Sequence, residues 1–102
     1  MSKTITMKFG GTSVGSIEAI QNVVEIVKTE HKAGNHVAVV VSAMSKVTDS
    51  LYKAVTLAAE GDKWGYLSLS RDLRDRHEET INRLIAPGTE RDKTLLAINK
   101  LV

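Results

Sequence analysis

The sequence contains no cysteine, a single proline, and only one Trp, two Tyr and one Phe. Without thiols there is neither a disulfide framework nor a thiolate metal site, which suits a reducing compartment and makes the cytoplasm the expected location. So few rings give no platform for stacking bases. An excess of one charge is also lacking: 14 basic residues against 12 acidic leave a net charge of +2. The two signs are interleaved, so there is no basic stripe to neutralise nucleic-acid phosphates, and nucleic acid is not an expected partner. The longest apolar run, Val37 to Val41, is far below the roughly 18 to 20 residues of a membrane helix. Met1-Ser2-Lys3-Thr4 leads into no signal-peptide hydrophobic stretch, so neither export nor a membrane partner is expected. What is present is the make-up of a globular protein, 42% hydrophobic and 25% charged over 102 residues, the length of one ordinary domain.

Residues 4–9, Thr-Ile-Thr-Met-Lys-Phe, alternate at period two and stop at Gly10-Gly11, which predicts a strand. Ile17, Ile20, Val23, Val24 and Val27 then form one helical stripe, with Ser16 as N-cap and Gly34-Asn35 as the stop, predicting a helix over about 16–34. His36 to Ala43 is rich in β-branched apolar residues without alternation, the pattern of a strand buried on both faces of a parallel sheet. Strand, helix and strand make a βαβ unit. From about 48 to 102 the pattern is helical, broken at Gly61 and at Pro87-Gly88, with the last helix carrying Leu95, Leu96, Ile98, Leu101 and Val102. Two parallel strands alone are marginal in water, so the expected class is an incomplete three-layer α/β/α domain, with pairing to a second copy as one way to cover its strand edges.

The first motif is Lys8-Phe9-Gly10-Gly11-Thr12-Ser13-Val14-Gly15. Gly10 and Gly11 let backbone N–H groups approach an anion with no Cβ in the way. The next helix brings its positive N-terminal end. Lys8 adds a mobile charge able to follow the negative charge that grows on a phosphoryl group in transfer. A Walker A loop is excluded because Ser16 stands where its lysine belongs, and Gly-Gly-x-x-x-Gly is not the dinucleotide fingerprint Gly-x-Gly-x-x-Gly. The bland alternative is a tight strand-to-helix turn with a solvated lysine.

The second motif is Val41-Ser42-Ala43-Met44-Ser45-Lys46-Val47-Thr48-Asp49. In an open parallel sheet ligands gather at the carboxyl ends of the strands, which brings Ser42 and Thr48 towards the crevice of Lys8. Small Ser42 and Ala43 admit a ligand to the backbone, and the Thr48 hydroxyl can bind a carboxylate. Alternatively Thr48 or Asp49 is only the N-cap of the following helix.

Together the two motifs resemble the amino-acid kinase family, and within it the aspartate kinases, which phosphorylate the side-chain carboxylate of L-aspartate with ATP. The resemblance runs along the whole chain and is densest in the two loops. It implies that Lys8 is the catalytic lysine on the ATP phosphates, that Phe9, Gly10, Gly11 and Ser13 belong to the phosphate-binding loop, and that Ser42, Ala43 and Thr48 hold the aspartate. Met44 to Val47 is variable in the family, so Lys46 is given no chemistry. The product would be 4-phospho-L-aspartate, the first step towards lysine, threonine and methionine, made by a homo-oligomer. The family's remaining substrate-gripping acidic residue and arginine, its adenine and Mg2+ portion and its regulatory ACT domains have no counterpart here. The chain is therefore expected to be the N-terminal part of the catalytic domain and inactive by itself. Other members of the superfamily, a fusion to homoserine dehydrogenase, and a non-catalytic nucleotide-binding or assembly module are the rival readings.

His31, His36 and His77 lack metal-site spacing and read as surface or packing residues. The mixed charges of Arg71 to Glu79 read as a solvated helix face, and Trp64 and Tyr66 as packing a turn against the helices.

Overall fold

A computed structural model describes residues 2–101. The elements are β1 (Thr4–Phe9), α1 (Ile17–Lys32), β2 (His36–Val41), α2 (Val47–Ala59), α3 (Lys63–Leu84) and α4 (Thr89–Leu101). They form two compact units, one ending at Lys46 and the other beginning at Val47, where length alone suggests one domain. Val102, expected in the last helix, lies outside the described residues.

The first unit is the βαβ fold that the sequence predicts. β1 and β2 pair in parallel from Thr4 with His36 to Phe9 with Val41. Ser16 caps α1, its Oγ accepting from the Ala19 amide at 3.1 Å, and Gly34 at φ +88° makes the left-handed turn that ends it. Asn35 fixes the start of the ladder: its Oδ1 accepts from the Lys3 amide (3.1 Å) and its Nδ2 donates to Glu30 (2.9 Å), while the His36 amide donates to the Lys3 carbonyl (2.8 Å).

Ile5, Met7, Phe9 and Val37 are half-buried on one face of the sheet. β2 is not covered on both faces as its composition predicts: Val39, Val40 and Val41 are 43%, 50% and 54% exposed. Burial of a strand on both sides needs a layer against each, and the first unit brings one helix, α1, to β2. The strand also ends at Val41, two residues short of Ala43. The Ser42 amide still donates to the Phe9 carbonyl (3.1 Å), and the chain then leaves the ladder, which releases Ser42 and Ala43 into a loop.

In the second unit α2 and α4 both pack on α3. Val47, Leu73, Thr80 and Ile81 are buried, and a cavity of about 450 Å³ opens among residues that include Leu51, Tyr66, Leu73, His77 and Ile98. Gly61 at φ +79° turns the chain out of α2, and the Asp62 carboxylate caps α3 by accepting from the Gly65 amide (2.9 Å). The far end of α3 is closed by α4: Arg91 donates from Nε to the Ile85 carbonyl (2.7 Å) and from Nη2 to that of Asn82. Trp64 does not pack a turn, being 82% exposed, because position 64 lies in the first turn of α3 on the side away from the buried stripe of Leu73, Thr80 and Ile81. Tyr66 is half-buried in the cavity wall. Among the described residues, no helix is long and apolar enough to cross a membrane.

Candidate functional site

Strand alternation positions the first functional group. Lys8 shares the exposed face of β1 with Thr4 and Thr6, whereas Phe9, one residue on, turns its ring to the half-buried face. The part of Phe9 that belongs to the loop is its backbone, whose carbonyl is engaged by Ser42. Lys8 pairs with Val40 in the ladder, at the carboxyl ends of both strands, and meets no carboxylate among the described residues.

Beyond Phe9 the chain makes a compact turn. The Ser13 amide donates to the Gly10 carbonyl (3.0 Å) and the Gly15 amide to that of Thr12 (3.3 Å), while Val14, 7% exposed, anchors the loop inward. The amides of Gly10 and Gly11 donate to no carbonyl among the described residues. A Cβ added to Gly10 would meet nothing within 4 Å, so that side of the loop is open. The loop therefore presents unengaged N–H donors beside a lysine and ahead of the α1 N-terminus, an arrangement complementary to an anion. Glu18, in the first turn of α1, adds an acidic group just beyond it.

The second loop comes to the same place. A Cβ on Gly11 would lie 3.6 Å from both the Ala43 carbonyl oxygen and Ser42 Oγ. Ser42 Oγ donates to the Ala43 carbonyl at 3.1 Å. Lys8, Gly10, Gly11, Ser13, Ser42 and Ala43 thus stand at one end of one unit. Thr48 belongs to the other unit: it is exposed in the first turn of α2 and lines a shallow groove with Leu51, Tyr52 and Val55. Since α2 begins at Val47, neither Thr48 nor Asp49 occupies its N-cap position, which falls on Lys46 at φ +68°.

One contact of this arrangement escapes a reading of the sequence. Gly15 and Ser45 touch across the loops, a contact that only the folded backbone reveals. A hard divalent cation needs several oxygen ligands, carboxylates foremost. Residues 8–16 and 42–46 contain no Asp or Glu, and among the described residues no three His, Asp or Glu side chains converge. These loops do not fit a Mg2+ site.

Comparison with known proteins follows the same lines. A family model described as the amino acid kinase family matches residues 3–99. The aspartokinase of Bacillus sp. (strain MGA3) is 64% identical over 47 residues, 46% of this chain and 11% of that protein. Aspartokinase 2 of Bacillus subtilis (strain 168) is 54% identical over 55 residues, 51% of this chain and 14% of that protein. The chloroplastic bifunctional aspartokinase/homoserine dehydrogenase 1 of Zea mays is 42% identical over 79 residues, 78% of this chain and 8% of that protein. The chain therefore spans between 8% and 14% of the length of these relatives. Matched by that model along nearly its whole length, and carrying both loops at the ends of a parallel strand pair, the chain belongs to the amino acid kinase family.

Proposed function

We propose that this chain carries the phosphate-gripping part and one wall of the acceptor site of an ATP-dependent aspartate kinase. The reaction moves the terminal phosphoryl group of ATP to the side-chain carboxylate of L-aspartate, giving 4-phospho-L-aspartate and ADP. In this reading Lys8 holds the ATP phosphates and stabilises the charge of the transferring group. Phe9, Gly10, Gly11 and Ser13 form the loop whose N–H groups receive the phosphate oxygens. Ser42 and Ala43 bind the amino acid, chiefly at its α-carboxylate, and Thr48 is a further aspartate-binding residue. The single observation that supports it most is the loop geometry: open amides at Gly10 and Gly11 and a Lys8 that are unengaged among the described residues, with Ser42 and Ala43 close by Gly11.

Phosphoryl transfer is largely a matter of positioning and electrostatic stabilisation. For that task the two loops bring Lys8, backbone donors and hydroxyls but no carboxylate, so ATP binding without turnover is the expected behaviour. The parent enzyme would serve amino-acid biosynthesis in the cytoplasm. Assembly with further copies is supported by the exposed Val39 to Val41 of the two-stranded sheet.

Calorimetric titration of the chain with ATP tests the reading. Saturable binding that Lys8→Ala weakens roughly ten- to a hundredfold is the expected result, the worth of a hydrogen bond to a charged group. Equal binding by both proteins, or none by the unsubstituted chain, would overturn it.

A further inference from the structure

We propose that Gly15 and Ser45 are positioning residues that make the two loops move as one, so that the phosphates of the nucleotide and the carboxylate of the amino acid bind cooperatively. The inference rests on the function proposed above and adds to it a coupling between its two substrates.

The observation is a seam with no slack. A Cβ built on Gly15 would stand 2.9 Å from Ser45 Cβ and 2.9 Å from the Gly11 carbonyl oxygen, closer than real side chains come. Gly15 is not in the left-handed region, so close approach rather than backbone conformation demands glycine there. Across Gly11 the loops leave room: a Cβ added there would reach Ser42 Oγ and the Ala43 carbonyl oxygen only at ordinary van der Waals distance, 3.6 Å. What meets at the seam is backbone and a first side-chain carbon, with no long side chain between to absorb a shift. Close-packed contacts of this kind transmit displacement instead of damping it. Gly15 also closes the turn that begins at Gly10, its amide held by the Thr12 carbonyl at 3.3 Å. Ser45 ends the segment that starts with Ser42 and Ala43. An anion that draws the Gly10-Gly11 amides into place therefore also presses Ser45, and with it Ser42 and Ala43, into the geometry that receives a carboxylate. By thermodynamic reciprocity the amino acid tightens the nucleotide loop by the same factor.

The test measures the Kd of ATP with and without saturating L-aspartate, alongside the thermal midpoint of each protein. In the unsubstituted chain aspartate is expected to tighten ATP about fivefold or more, the lower range of measured coupling. Ser45→Gly opens the seam and should still bind ATP while losing the aspartate effect, whereas Ser45→Ala, which keeps the Cβ and removes only the hydroxyl, should keep that effect. Gly15→Ala should weaken ATP binding whatever stands at position 45, because its Cβ would also press on the Gly11 carbonyl oxygen, 2.9 Å away. Ser45→Gly carries the test even if Gly15→Ala does not fold. Coupling that survives in Ser45→Gly, or an ATP affinity that aspartate does not change in the unsubstituted chain, would overturn the inference and leave the phosphate-loop reading standing. Absence of ATP binding by the unsubstituted chain would remove that reading, and this inference with it.

Discussion

The unit ending at Lys46 and the unit beginning at Val47 are held together in different ways. In the helical unit, stability comes from side chains: Leu73, Thr80 and Ile81 form a buried stripe on α3, with α2 and α4 packed against that helix. In the βαβ unit, Val14 is the one buried hydrophobic residue among the described residues, and the exposed valines of β2 leave much of the sheet wet. Its precision comes from the main chain, through a six-residue ladder, a capped helix and two loops that meet at glycines. The candidate site therefore lies in the unit with fewer buried hydrophobic side chains among the described residues. A phosphate loop needs accurately placed amides more than it needs a deep core.

The difference is sharpest when each unit is attacked through its own mode of support. The largest effect is expected from Leu73→Ala, which removes a buried side chain from the helical core. It should destabilise the chain by about 2–4 kcal/mol, measured by urea unfolding followed by circular dichroism. Next is Arg91→Ala, which deletes both donors that close the end of α3. A loss of roughly 1–2 kcal/mol in the same measurement is expected, and an unchanged midpoint would show that those carbonyls find water instead. On the other side of the comparison, Gly10→Ala adds a methyl group into open space at an ordinary φ. Its stability should stay within about 1 kcal/mol of the parent, and rise if it changes at all. ATP binding by the same variant should fall, because that open space is where phosphate oxygens would come. The smallest effect belongs to Lys46→Gly. It relieves a left-handed lysine and should stabilise the chain by about 0.5–1 kcal/mol in thermal unfolding.

Much of the βαβ unit is legible in the sequence because its signals are local. Alternation gives β1, a serine and a glycine bracket α1, and glycine-rich and hydroxyl-rich segments mark the two loops. The breaks at Gly61 and Pro87-Gly88 are legible for the same reason, and Gly61 and Gly88 do take positive φ. What could not be read depends on tertiary neighbours. The apolar run of β2 resembles a fully buried strand, yet its exposure is decided by what packs on it, not by its composition. Trp64 is apolar and lies outside any buried stripe, so its size says nothing about its burial. Arg91 looks like one more surface charge until the helix end it closes, nine residues away at Asn82, is in place. At the candidate site, Lys8, Gly10 and Gly11 are recognisable from residue type and order. The seam between Gly15 and Ser45 is not, since it joins positions thirty residues apart and consists of a distance.

Amides of Gly10 and Gly11 that receive an anion beside Lys8 must register its arrival. Proton–nitrogen correlation spectra of the labelled chain, recorded as ATP is added, observe those amides directly. Saturable shifts concentrated on residues 8–16 and 42–46, with the α3 resonances of Leu73 to Ile81 unmoved, are the predicted result. Shifts that bypass Gly10 and Gly11, or that gather instead on the helices beyond Val47, would show that the anion binds elsewhere.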